Sequence, residues 1–302
     1  VGYNKKEKMT FDNDSKEMPE NLIKDWWNNK ENNTKLIEWD VFYEGEGYEP
    51  YRLNQRLKSV LENIDRLSLR NKARLGLKNA NILELGYGAG QCATQLLMMG
   101  YKLKGIDISK LLCKQANRRC SRFPYPKPKE DYSLKVGSME RPLEYADNSF
   151  DLVVTIGTLH YIKNINQLFN EINRVLKPGG YFIMAQRSLI RFRDFFSTRY
   201  LSRMLKYTLG YQKYEILSKK DDYPFKKRLM SALRLRKLLH TKGFKVKRYD
   251  SACFIYSENR LKTLTRFIEP ILQRISDLHL TPLHLIGDNI IVVAKKEKEA
   301  DK

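Results

Sequence analysis

Three glycines at alternate positions, Gly86, Gly88 and Gly90, are the residues best suited to hold a ligand. They follow a short apolar run at 82–85 that reads as a buried strand, and they precede a run at 92–99 that reads as a helix. Glycine lets backbone approach a ligand where a side chain would stand in the way. The helix start beyond it offers unpaired N–H groups and the positive end of a dipole. Strand, glycine turn and helix in this order make a nucleotide-binding corner of an open α/β sheet. A dinucleotide turn wants glycine at its first, third and sixth positions; here the sixth is Gln91, which argues against NAD and flavin. No Gly-Lys-Ser/Thr follows, so a phosphate-loop NTPase is out as well.

Such a corner needs a sheet to position it. The run 101–109 alternates and ends on Asp107, reading as a second strand, and Ser109 can cap the helix through Cys113, Ala116 and Cys120. Residues 134–137 read as a short third strand. Residues 150–156 read as a fourth, apolar on both faces as a central parallel strand is. A helix at 165–176, the turn Lys177-Pro178-Gly179-Gly180 and a fifth strand at 181–185 follow. Later come helices at 229–239 and 261–278 and strands at 244–249 and 289–294, with a solvated charged tail from 295. Strands alternating with helices at this spacing predict a parallel α/β sheet.

Outside that alternation lie an arm and an insertion. Residues 22–39 are helix-like and carry Trp26, Trp27 and Trp39, which argues that the arm docks on the body. Leu53, Leu57, Val60, Leu61, Ile64 and Leu67 recur at helical spacing. From 188 to 223 the alternation stops, and Leu189, Phe192, Phe196 and Tyr200 form one face against Arg191, Arg193, Arg199 and Arg203. This basic amphipathic stretch reads either as a helical cap over the cleft or as a membrane-surface segment. The expected organisation is an arm at 1–75, a binding core at 76–187, a cap insertion at 188–228 and a completion of the sheet at 229–302.

The composition fits a globular protein: 302 residues, 42% hydrophobic and 30% charged. No stretch approaches the ~20 apolar residues of a membrane span. The polar start at residues 1–6 shows no secretory signal, and Cys92, Cys113, Cys120 and Cys253 lack disulfide or zinc spacing, so a cytoplasmic, at most membrane-peripheral, location is expected. The net charge of +21, from 56 Lys+Arg against 35 Asp+Glu, fits attraction to nucleic acid or anionic lipid. It equally fits the Lys-, Asn-, Ile- and Tyr-rich bias of an AT-rich genome. No metal site and no oligomeric state can be read from the chain.

The spacing Glu84-x-Gly86-x-Gly88-x-Gly90 resembles the first motif of the class I S-adenosylmethionine-dependent methyltransferases. Further matches follow in order: Asp107 at the end of the second strand, the stretch 147–153 leading into the fourth, Leu159-His160-Tyr161-Ile162 for the family's Leu-His-His-Val, and Leu176-Lys177-Pro178-Gly179-Gly180 before the fifth. Leu235 to Phe244, ending Lys242-Gly243-Phe244, resembles a later helix and Gly-Phe. The likeness is closest to the small-molecule group that includes ubiquinone- and menaquinone-type methylases. It implies a Rossmann-like, mostly parallel sheet of about seven strands with S-adenosylmethionine as cofactor. It implies that Glu84, Gly86, Gly88 and Gly90 lie by the methionine part, and that Asp107 takes both ribose hydroxyls, with Ile108 beside it. Where the family has an acid near the adenine amino group this chain has Gly137-Ser138-Met139-Glu140, so Ser138 would offer one hydrogen bond and Met139 an apolar cover. Tyr43, Tyr48, Tyr51 and Arg52 read either as an arm that closes over the site, with Arg52 meeting the cofactor carboxylate, or as an exposed aromatic-rich docking arm.

On that resemblance methyl transfer is an in-line displacement, catalysed largely by alignment and desolvation. A hydroxyl acceptor also needs a base of near-neutral pKa, and His160 is the candidate, with Tyr161 as an acceptor-orienting hydroxyl. The other reading of His160 is a residue that shapes the cleft. His240, His279 and His284 read as surface or packing residues. The expected acceptor is a small molecule: a quinone, sugar, lipid or secondary metabolite. The alternatives are an RNA methyltransferase, for which neither an Asn/Asp-Pro-Pro-Tyr/Phe nor a Pro-Cys motif is found, and a non-catalytic cofactor- or membrane-binding protein.

Overall fold

The computed structural model describes residues 20–29, 43, 48–70, 80–122, 132–189, 191–192, 215–216, 228–254, 262–279 and 282–297. Its elements are α1 (Glu20–Asn28), α2 (Tyr48–Arg70), β1 (Asn81–Leu85), α3 (Gln91–Met98), β2 (Lys102–Asp107), α4 (Lys110–Arg122), β3 (Tyr132–Val136) and β4 (Phe150–Ile156). There follow a 3-10 turn (Leu159–Tyr161), α5 (Ile165–Val175), β5 (Leu176–Arg187), β6 (Glu215–Ile216), β7 (Arg228–Leu229), α6 (Ala232–His240), β8 (Phe244–Ala252), α7 (Lys262–Asp277) and β9 (Asn289–Lys296). Seven strands form one sheet in the order β3-β2-β1-β4-β5-β9-β8, which is 3-2-1-4-5-7-6 when only its own strands are counted. The first five are parallel, and β9 inserts antiparallel between β5 and β8. This is the expected α/β sheet, completed by an antiparallel pair, β8 and β9, joined through α7.

The two-residue period of a strand sorts the core into two layers. Leu83, Leu85, Val153, Phe182 and Met184 face one side, where Phe169 and Ile172 of α5 and Leu235 of α6 cover them. Ile82, Leu152, Val154 and Ile183 face the other, under Val60 and Ile64 of α2, Ala93 and Leu96 of α3 and Ala116 of α4. Residues 150–155 are all buried, as a strand with helices on both faces must be. Each fully buried Leu, Ile or Phe contributes about 1.5–3 kcal/mol. The same alternation turns Glu84 toward the α2 side, into a place where it is only 2% exposed.

Polar ties fix α2 and the loop before β4. Asp250 of β8, 3% exposed, accepts from Asn63 Nδ2 at 2.6 Å and from Arg248 Nε at 2.9 Å, and pairs with His279 at 2.7 Å. Burial alone would raise this carboxyl, but the bonds from Arg248, Asn63 and His279 hold it below the usual range. His279 is thus a packing residue, its ring stacked on His284 at 4.8 Å, whereas His240 is exposed. Arg174 clamps the carbonyls of Leu143 and Tyr145 and the carboxylates of Glu171 and Asp147.

Several expected boundaries move. The helix expected from 229 begins at Ala232, because Arg228 and Leu229 pair with residues 216 and 215, and Ser231 caps the helix through Arg234 N at 3.4 Å. The fifth strand starts at Leu176 and carries an irregularity opposite residues 150–152. Lys295 and Lys296 belong to β9 rather than to a solvated tail, and Lys296 Nζ donates to the carbonyls of Asn173 and Leu176 at 2.7 and 2.8 Å. Arg191, assigned from sequence to the polar side of the insertion, is buried. Residues 193–214 and 217–227 of the expected cap, residues 30–42 of the arm with Trp39, and the side chains of Trp26 and Tyr48 lie outside the described residues. No helix among the described residues is long and apolar enough to cross a membrane.

Candidate functional site

Strand order reverses at β1, between β2 on one side and β4 on the other, and the carboxyl ends of these strands open a crevice. The glycine turn fills its floor. Gly86 and Gly88 hold φ angles of 72° and 56°, which L side chains rarely adopt, and Gly90 is the left-handed N-cap of α3. Gly86 N–H donates to the Ile106 carbonyl at 2.8 Å, tying the turn to β2. A Cβ on Gly86 would fall 2.4 Å from Thr158 Oγ1, so only glycine lets the turn lie against the loop that leaves β4. Gly86→Ala is therefore expected to cost about 2–4 kcal/mol from strain and overpacking. Thermal unfolding checks this; an unchanged midpoint would contradict it.

Asp107 closes the turn from the β2 side. Its Oδ2 accepts from Gly88 N–H at 2.9 Å and its Oδ1 from Ser109 N–H at 2.9 Å. Burial raises its pKa to about 6, although the Ser109 and Gly88 N–H bonds pull it down. A carboxylate has about four acceptor positions, so two remain for a pair of hydroxyls. Ser109 Oγ caps α4 through Leu112 N–H at 3.1 Å, as expected. Ile108, Leu112 and Met139 line the same crevice. Ser138 Oγ accepts from Glu140 N–H at 3.0 Å, a local turn bond that leaves its hydroxyl proton to point elsewhere.

Glu84 sits behind the floor rather than in it. Burial pushes its pKa up to about 8, while a bond from the Cys92 thiol works the other way, and Asp107 adds to the rise. Its Oε2 has no hydrogen-bond partner among the described residues, and the same holds for Gln91 Nε2 at the start of α3.

The opposite wall comes from β4, α1 and α2. His160 and Tyr161 lie in the 3-10 turn just past β4, their rings tilted by 49° at 4.0 Å, with His160 buried. Trp27 of α1 meets Tyr161 edge-on at 5.9 Å. The arm is tied down by Ser109 Oγ donating to the Trp27 carbonyl at 2.9 Å and by Leu111 N–H to Asn28 Oδ1 at 3.3 Å. Arg52 and Arg56 reach in from α2, and Arg187 from the end of β5.

Together these surfaces enclose a cavity of about 230 Å³. Of the residues singled out from sequence, Gly86, Gly88, Asp107, Ile108, Ser138, Met139, Arg52, Tyr43, His160 and Tyr161 line it. Glu84, Gly90 and Tyr51 do not. Sequence reasoning missed Gln91, Thr158, Arg56 and Arg187, which do line it. Arg56 was findable, because it stands four residues after Arg52 on a helix and so shares its face. Among the described residues no group of three or more His, Cys, Asp or Glu could hold a metal ion.

Residues 83–184 match a protein family described as a methyltransferase domain. A sterol 4-C-methyltransferase of Caenorhabditis elegans is 28% identical over 148 residues, 49% of this chain and 41% of that protein. A demethylmenaquinone methyltransferase of Tropheryma whipplei is 29% identical over 107 residues, 35% of this chain and 41% of that protein. The chain thus spans about two fifths of the length of these curated relatives. Among solved structures, the magnesium protoporphyrin IX methyltransferase of Synechocystis, with S-adenosylhomocysteine bound, superposes with a TM-score of 0.55 at 14% identity, over 92% of this chain and 99% of that one. That likeness concerns the fold.

Proposed function

Since the chain belongs to the class I S-adenosylmethionine-dependent methyltransferases, we propose that it moves a methyl group to an oxygen, nitrogen or carbon of a small molecule such as a quinone, sugar, lipid or secondary metabolite. The observation that carries this reading is the cavity itself, which joins the glycine turn and Asp107 at one end to His160 and Tyr161 at the other. The residues present fit the donor. Asp107 keeps two acceptor positions for the ribose diol. Ile108, Leu112 and Met139 offer an apolar slot for adenine, with the Ser138 hydroxyl at its edge. Glu84, raised to about 8 by burial and so protonated at neutral pH, stands behind the floor as a neutral hydrogen-bonding acid rather than as a charge. Arg52, held by Asn289 Oδ1 at 3.2 Å, suits the carboxylate.

When bound, the donor supplies an electrophilic methyl on a sulfonium. The chain's part is to align the acceptor in line with that methyl, to exclude water by docking α1 over the site, and to take a proton where the acceptor is a hydroxyl. His160 is the group for the last task, with the Tyr161 hydroxyl orienting the acceptor. His160→Gln is expected to lower kcat about 100-fold or more with KM little changed. Steady-state kinetics on the identified acceptor check this, and an unchanged kcat would leave His160 a packing residue.

The acceptor is found by incubating the chain with donor labelled on its methyl and with metabolite, lipid and RNA fractions. Label in the small-molecule fraction supports the proposal. Label confined to RNA would replace it with the reading that the +21 charge suits, and label nowhere would leave a binding protein.

A further inference from the structure

Of the large apolar side chains exposed among the described residues, most gather at one edge of the molecule. Leu233 lies on α6, Phe267 and Ile271 on α7, and Leu278 directly after it, at 73%, 72%, 56% and 64% exposure. Both helices pack on β8, the last strand of the sheet. Phe267 and Ile271 stand one helical turn apart and Leu278 follows two turns on, so the three form a row. The opposite face of α7 is the one held to β8: Glu269 Oε1 accepts from Phe254 N–H and Gln273 Nε2 donates to the Ser251 carbonyl, both at 2.8 Å. Single exposed apolar side chains are ordinary, but a row of them marks a contact surface.

The same edge is basic. Residues 228–249 hold eight Lys and Arg and no Asp or Glu. Arg234, Arg236 and Lys237 of α6 and Lys245 and Lys247 of β8 are exposed. On α7, Arg274 is exposed within the apolar row, Glu269 is buried, and Asp277 accepts from Gln273 Nε2 at 3.0 Å. Lysines on an edge strand deter pairing with another sheet, which accounts for Lys245 and Lys247 but not for the apolar row beside them.

Charge decides what covers this edge. A second copy would bring the same cations to a two-fold contact, where like charges repel. A nucleic acid strand wants aromatic platforms, and the row holds one aromatic among aliphatic side chains. Aliphatic side chains ringed by Lys and Arg suit the boundary between anionic headgroups and acyl chains. The edge also lies at the cavity end of the sheet. Leu229, three residues before α6, lines the cavity, and Met230 bridges to Ser188 just past β5. Through β9, β8 runs parallel to β5, so α7 packs at the end where both strands finish.

We propose that the β8 edge, with the exposed faces of α6 and α7, is a docking surface for a bilayer that carries anionic lipid. Leu233, Phe267, Ile271 and Leu278 enter the headgroup boundary, while Arg236, Lys237 and Arg274 meet the headgroups. A docked chain then holds its crevice beside the bilayer. Docking is independent of the donor, so it stands or falls apart from the reading above.

The test sediments the full chain with vesicles of phosphatidylcholine alone and with about one third phosphatidylglycerol. Each Lys or Arg at an anionic surface contributes about fivefold, so the anionic vesicles should bind about tenfold or more tighter than the neutral ones. Raising salt from about 0.1 M to 1 M should remove most of that difference. Arg236→Gln with Lys237→Gln should lose about tenfold or more on anionic vesicles, and Phe267→Ser with Ile271→Ser should lose as much. All four residues are exposed and none lines the cavity, so both variants should keep the wild-type unfolding midpoint and S-adenosylhomocysteine affinity. The proposal is overturned if wild-type chain binds no vesicle, if it binds both kinds alike, or if either folded variant binds anionic vesicles as wild type does. A dimer in light scattering that the Phe267→Ser, Ile271→Ser variant disperses, without vesicle binding, would give the surface to a second copy. Binding of an RNA oligonucleotide that Arg236→Gln with Lys237→Gln abolishes, again without vesicle binding, would give it to nucleic acid. Vesicle binding by a chain that takes no S-adenosylhomocysteine would uphold the docking surface and overturn the donor reading alone.

Discussion

Gly88→Arg is expected to abolish S-adenosylhomocysteine binding, with affinity reduced by about a thousandfold or more. A Cβ at this position meets no atom within 4 Å, so a side chain there grows into the cavity rather than into the protein. The donor and the arginine would claim the same space. The backbone adds to the effect, because φ is 56° and a non-glycine residue held there costs about 1–2 kcal/mol. Gly88→Ala separates the two contributions: it carries the backbone strain with little bulk and should lose about tenfold. The open space around Gly88 also means that the arginine variant should fold, with an unfolding midpoint within a few degrees of wild type. Calorimetry together with thermal unfolding checks both statements. Retained affinity in a folded Gly88→Arg would show that the donor does not lie over the turn.

Asp107→Ala should be nearly as severe, about 100-fold or more, since charge-assisted hydrogen bonds contribute about 1.5–3 kcal/mol each. Two effects combine. The ribose diol loses its carboxylate, and the N–H groups of Gly88 and Ser109 lose the acceptor that shapes the turn. Asp107→Asn keeps an acceptor oxygen but not the charge, so it should fall between alanine and wild type. The same residue sets a pH dependence. Burial raises its pKa to about 6, so it is ionised above that pH and protonated below it. Hydroxyl donors favour the ionised form, so affinity should be level above pH 7 and fall by up to about tenfold per unit below 6. Stability without ligand runs the opposite way. A folded-state pKa above that of an exposed aspartate means the folded state holds its proton more tightly, so this group's contribution to stability declines as pH rises from about 4 to about 6. In Asp107→Asn the affinity change below pH 6 should vanish, and its persistence would assign the titration to another group.

How much of this was legible in the chain follows from how local each signal is. The glycine turn, the acid at the end of the second strand and His160 just past the fourth are each fixed by their own few residues. Glycine is needed where φ is positive, an acid where a strand ends at the crevice, and a polar residue where the chain leaves the sheet. The parallel sheet followed from the alternation of strands with helices, and a strand buried on both faces, such as 150–156, has to lie inside it; the spatial order of the strands was not legible. Depth was less legible. Glu84 and Gly88 look equally close to a ligand in sequence, but strand alternation turns Glu84 inward, behind the floor. The gathering of Arg52, Arg56 and Arg187 along one cavity was least legible. Arg52 and Arg187 share Asn289 as a neighbour only because β9 inserts between β5 and β8: Asn289 pairs with Arg187 across the strands and accepts from Arg52. No local pattern encodes that register. The helix expected from 229 was misplaced for the same reason, since Arg228 and Leu229 find strand partners at 215–216.

The central claim is that the glycine turn and Asp107 form a seat for S-adenosylmethionine. Titration of the wild-type chain with S-adenosylhomocysteine at pH 7.5 tests it most directly. The account predicts one molecule bound per chain in the micromolar range, about −7 to −8 kcal/mol, with the heat absent in Gly88→Arg. No detectable binding by a folded wild-type chain, or equal binding by that variant, would contradict it.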